Sequence, residues 1–141
     1  MSPPTPWMRV SAAPAPAPAA RCDGIDPSLL DDIVQMPNGG IGLVRELIAM
    51  FFDEAPGRLA ELRLGIAAAD GQRIAAVAHA TRGGAGTVGA TQLATLCGRL
   101  EADGRAGRLA GAEETLVAIE VEFARVRGAL ERRVAELMAG R

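Results

Sequence analysis

The segment Ala78-His79-Ala80-Thr81-Arg82-Gly83-Gly84-Ala85-Gly86-Thr87-Val88-Gly89-Ala90 holds the only histidine of a 141-residue chain. Wound at about 100° per residue, the stretch gathers Ile74, Val77, Ala78, Ala85 and Val88 on one side. His79 then faces water, with Arg82 and Gly83 one turn later on the same stripe. Gln72, Ala75 and Ala76 continue that stripe backwards, so an exposed imidazole is ringed by small residues with one cation beside it. Each of Gly83, Gly84 and Gly86 costs a helix roughly 1 kcal/mol against alanine. On the histidine's face, glycine lets another backbone or a bulky anion come close. Composition alone leaves it equally open that the helix stops near Gly83 and the glycines form a loop.

The same residues resemble the signature of histidine phosphotransfer (HPt) domains, the carriers of multistep two-component phosphorelays. His79, Gly83, Ala85, Val88, Gly89 and Ala90 match that signature as they stand. Arg82 takes a lysine position and keeps the charge, Thr81 replaces a leucine, and Gly84 replaces a small polar residue. The likeness extends over Leu43–Leu62 before the motif and Leu93–Glu101 after it. It implies that His79 is phosphorylated on its outer nitrogen, that Arg82 neighbours the phosphate, and that Gly83, Gln72, Ala75, Ala76 and Gly86 leave a partner's approach clear. The implied partners are receiver domains of response regulators or of a hybrid histidine kinase, whose aspartates give and take the phosphoryl group. No cofactor of the chain's own is expected, because the magnesium ion belongs to the receiver.

Composition points the same way. Aromatics make up 3% and tyrosine is absent, as in an Ala/Leu-rich helical bundle. All 15 basic residues are arginine, the net charge is −2, and no basic block offers a footprint for nucleic acid. Cys22 and Cys97 fit no metal spacing, and Cys97 reads as a core thiol in a reducing compartment. No apolar run of about 18 residues is present to span a membrane. A cytoplasmic monomer is expected.

Residues 1–24 read as a disordered Pro/Ala-rich arm, with six prolines before Arg21 and an Ala-Pro repeat that favours extended chain. Trp7 is either a docking anchor or incidental. From 25 to 138 the pattern predicts an all-α fold: an antiparallel four-helix bundle with a short additional N-terminal helix. Asp26 and Pro27 suit the start of that short helix, which Pro37-Asn38-Gly39-Gly40 ends. A long helix from about Leu43 to Ala69 presents Leu43, Leu47, Ile48, Phe51, Ala55, Leu59, Leu62 and Ile66, and its periodicity runs through Pro56, which predicts a kink and not a break. Asp70 caps the His79 helix. The next helix spans about Gly89 to Ala102, with Leu93, Leu96, Cys97 and Leu100 inward, and Asp103–Gly111 is a loop. The last, about Ala112 to Met138, carries the seam Leu116, Ile119, Phe123, Val126, Leu130, Val134 and Leu137. No second apolar stripe for a coiled-coil partner is evident on it.

Chemically, a lone imidazole on a convex helix face has neither the pocket and partner of a general base nor the three or four ligands, roughly, of a metal site. It can still accept a phosphoryl group if another protein brings the machinery. The expected function is therefore a phosphorelay carrier and not an enzyme turning over a small substrate. The alternative is a catalytically silent helical module that binds receivers without efficient transfer. A small enzyme with His79 as base is the third reading.

Overall fold

The computed structural model describes residues 25–26, 28–36 and 40–139. The expected arm over 1–24, with Trp7 and Cys22, lies outside the described residues, as do Pro27 and the turn at Pro37–Gly39. The described residues form five helices and no strand: α1 (Ser28–Gln35), α2 (Ile41–Ala67), α3 (Gly71–Thr87), α4 (Thr91–Ala106) and α5 (Ala112–Ala139). Helices α2 to α5 run up and down in a ring, α2 on α3, α3 on α4, α4 on α5 and α5 back on α2. Short connections leave consecutive helices no other compact choice. α1 packs on α2, and Arg133 of α5 clamps both oxygens of Asp31 at 2.7 and 2.8 Å.

The helix starts follow the capping residues. Asp26 accepts from the Ser28 amide at 3.0 Å, and Asp70 accepts from the Arg73 amide at 3.1 Å, each satisfying an orphan donor of a first turn. α2 is continuous through Pro56. Its stripe is set by Val44, Phe51, Ala55 and Leu62, with Ile48, Leu59 and Ile66 partly buried beside them. Leu43, expected on that face, is exposed: it lies a hundred degrees or so from Val44, and the three-four spacing runs from Val44.

α3 continues through Gly83, Gly84 and Gly86 to Thr87, which decides between the two readings of the glycines. Its end is fixed by Gly89 at φ 78. There the Gly89 amide donates to the Gly86 carbonyl at 3.1 Å and the Ala90 amide to the Ala85 carbonyl at 2.8 Å, so the last carbonyls are satisfied. A side chain on Gly89 would also run into the Asp26 carbonyl. Helix α4 therefore begins at Thr91, not Gly89.

It also ends later than expected. Asp103, Gly104 and Arg105, read as loop from their Gly and Arg content, are helical, and Gly107 at φ 73 makes the stop. Packing explains the extension. A Cβ on Gly104 would lie 2.7 Å from the Gly71 carbonyl oxygen and 3.0 Å from the Ala75 amide nitrogen, so this glycine serves a backbone-to-backbone contact of α4 with α3. Tertiary contact overrides its weak propensity.

Candidate functional site

His79 projects from the middle of α3 with 60% of its side chain exposed. Opposite it on the same helix, Thr81 is buried and its hydroxyl donates to the Val77 carbonyl at 2.8 Å. The inward threonine is thus satisfied within its own helix, and the imidazole is left on the outer face as the periodicity predicts.

The imidazole is not solitary. Its Nδ1 lies 3.0 Å from Oε2 of Glu101 on α4, a carboxylate whose side chain is only 3% exposed. Two guanidinium groups meet the same carboxylate: Arg105 Nη2 at 2.6 Å from Oε2 and Arg82 Nη1 at 3.4 Å from Oε1. Oε1 is buried and accepts no hydrogen bond, so the Arg82 contact is Coulombic and not a formed hydrogen bond. Arg82 Nη2 also sits 3.4 Å from His79 Nδ1. Nδ1 cannot both donate to Glu101 and accept from Arg82. An ionised carboxylate only accepts and is the nearer partner, so Nδ1 carries the proton. The lone pair is then on Nε2, the ring's other nitrogen.

Small residues make this convergence possible. The Gly71–Gly104 contact draws α3 and α4 together one turn from Glu101, and Arg82 lays its Cδ 3.5 Å from the point a Cβ of Gly98 would occupy. The glycines of α3 divide by role. Gly83 and Gly86 would each direct a Cβ into open space, whereas a Cβ on Gly84 would meet the Phe51 ring at 3.0 Å. Beside Gly84, Arg58 of α2 donates to the Ala80 carbonyl at 2.9 Å and to Glu54 at 2.9 Å. The histidine's turn is thus framed by arginines from α2 and from α3.

Of the residues expected to leave an approach clear, Gln72, Ala76, Gly83 and Gly86 are exposed. Ala75 is not: it is 5% exposed, covered where Gly104 brings α4 against its amide. The expectation for Ala75 is corrected on that ground. Arg82 stands beside His79 as expected. Glu101, Arg105 and Arg58 join the site without being singled out by the motif. For Glu101 a signal existed, since it shares the inward stripe of Leu93, Cys97, Leu100 and Gly104. A lone carboxylate on a buried stripe demands a partner. Cys97 is fully buried, and burial pushes its thiol up to about 12; it stays a protonated core residue. Among the described residues no group of side chains could hold a metal ion, and no helix is long and apolar enough to cross a membrane.

The Hpt domain family model matches residues 46–137, more than half of the chain. The protein belongs to the histidine phosphotransfer family. A solved relative agrees: the crystal structure of histidine-containing phosphotransfer protein B (HptB) from Pseudomonas aeruginosa PAO1 superposes with a TM-score of 0.70 at 28% identity, covering 80% of this chain and 96% of that one. No curated protein sequence matches the chain. Membership of the Hpt family places this bundle among the phosphocarriers of two-component systems.

Proposed function

We propose that the protein is a phosphorelay carrier in which His79 Nε2 takes a phosphoryl group from a receiver-domain aspartate and yields it to another receiver. The observation that carries this reading is the hydrogen bond from Nδ1 to buried Glu101, which leaves the nucleophilic lone pair on Nε2 of an exposed ring. In transfer, the Nε2 lone pair forms the N–P bond while the P–O bond to the aspartyl carboxylate breaks and its electron pair stays with that carboxylate. The Nδ1 proton does not leave. The phosphorylated ring carries positive charge, and the Glu101 carboxylate compensates it at close range. Return of the phosphoryl group reverses the same step, so the chain needs no acid or base of its own beyond this pair.

Arg82 would supply charge-assisted hydrogen bonds to the phosphoryl oxygens. Magnesium is expected on the partner receiver and not on this chain. The open space over Gly83 and Gly86 supports a receiver seated on this face of α3, and a bulky side chain at Gly83 would stand in its way. The contact of the imidazole with Glu101 favours a working carrier over a silent docking module, for which it would have no use.

The test is incubation with a panel of phosphorylated receiver domains, followed by base-stable, acid-labile label on this chain. Label is expected on the parent and none on His79→Ala, whose stability should change by about 1 kcal/mol or less because most of the side chain is in solvent. Persistent label on His79→Ala would reject the assignment. Binding of receivers without label on the parent would return the silent module.

A further inference from the structure

The Glu101 carboxylate has two unequal cationic partners. Arg105, one turn further along α4, holds Oε2 at 2.6 Å. Arg82, from α3, keeps only a 3.4 Å contact with Oε1, which accepts no hydrogen bond. Arg82 also lies on the Nδ1 side of the imidazole, whereas a phosphoryl group would be attached at Nε2. A phosphoryl group there would draw the guanidinium's donors away from Oε1 and toward its own oxygens.

We propose that Arg105 is a positioning residue that keeps Glu101 neutralised, so that Arg82 is released to the phosphoryl group. The proposal rests on the carrier reading above. A carboxylate buried this deeply is costly without a cation. Were Arg82 its only guanidinium, each departure of Arg82 would leave the charge with the imidazole alone. With Arg105 seated on Oε2, the departing residue gives up only its looser contact. Arg105 thus performs no chemistry on the phosphoryl group. It sets how freely Arg82 moves, through a carboxylate that also holds the histidine's tautomer. It can do so only because α4 extends past Ala102 and places residue 105 one turn from Glu101.

The experiment is a double-mutant cycle on the full chain with Arg82→Ala, Arg105→Ala and both together. Labelling is followed with a phosphorylated receiver and, separately, with phosphoramidate, a small donor that phosphorylates imidazole with loss of ammonia. Arg105→Ala is expected to slow labelling by about three- to tenfold with the melting temperature nearly unchanged, since its side chain is 67% exposed. In the Arg82→Ala background the same change should slow labelling no further, because there is no guanidinium left to release, although the melting temperature should fall because buried Glu101 then has no arginine. Arg105→Lys should restore most of the rate and Arg105→Gln should not. Losses that multiply in the double variant would overturn the proposal, as would a parental rate for Arg105→Ala. Label from phosphoramidate but from no receiver would refute the carrier reading while the cycle still decides the role of Arg105.

Discussion

The two helix interfaces of this bundle that face each other across the core are built from opposite materials. Between α2 and α5 the contact is aromatic: Phe51 stacks on Phe123 at 5.3 Å, Phe52 meets Phe123 edge-on at 6.3 Å, and Arg127 lies 4.9 Å over the Phe52 ring. Between α3 and α4 the contact is made by Gly71, Gly104 and Ala75, with backbone close to backbone. Large rings bury much apolar surface and hold helices apart at a comfortable distance. Glycines bury little but let two helices close until a short carboxylate reaches a neighbouring helix's histidine. The first interface supplies stability, and the second supplies geometry.

That division can be broken by experiment. Phe123→Ala should produce the largest loss of stability, about 3–5 kcal/mol by denaturant unfolding. It should nevertheless leave the neutral imidazole protonated on Nδ1, as read from long-range proton–nitrogen correlation of the single histidine. A changed tautomer in the folded variant would mean that the aromatic interface also sets the site. Gly104→Ala should cost less, about 1–3 kcal/mol from the collision of its Cβ with the Gly71 carbonyl. It should, however, push Glu101 away from His79, so part of the proton population moves to Nε2 and labelling slows. An unchanged tautomer there would detach the glycine contact from the chemistry. The smallest effect is a gain. Ala69, in the turn after α2, has φ 53, a left-handed conformation that costs an alanine roughly 1–2 kcal/mol. Ala69→Gly should relieve most of it, for a net stabilisation of about 0.5–1 kcal/mol after glycine's greater unfolded-state entropy, and should leave both interfaces untouched. A destabilised Ala69→Gly would show that this turn is held by more than its backbone angle.

Read from the amino-acid order alone, the chain yields much of this molecule, because the relevant information is local. Apolar spacing by threes and fours specifies the helices and the seam of α5. Asp26 and Asp70 announce two helix starts. The angle between successive residues turns His79 outward and Thr81 inward whatever the rest of the bundle does. The His79-to-Ala90 motif supplies the family. What the order leaves open is whatever depends on two segments meeting. Whether Gly83, Gly84 and Gly86 stay helical is settled by the packing of Phe51 over Gly84 and the turn at Gly89. Whether Asp103 to Arg105 belong to a helix is settled by Gly71, more than thirty positions away. Ala75 looks open on its own helix and is covered by another. The decisive case is the site: His79 and Glu101 are 22 positions apart, and no periodicity within either helix states that one will end beside the other. Only the close approach of α3 and α4 makes a hydrogen bond of them, because a carboxylate's reach is a few ångströms and the distance between two helices is set by the side chains, or the lack of them, in between.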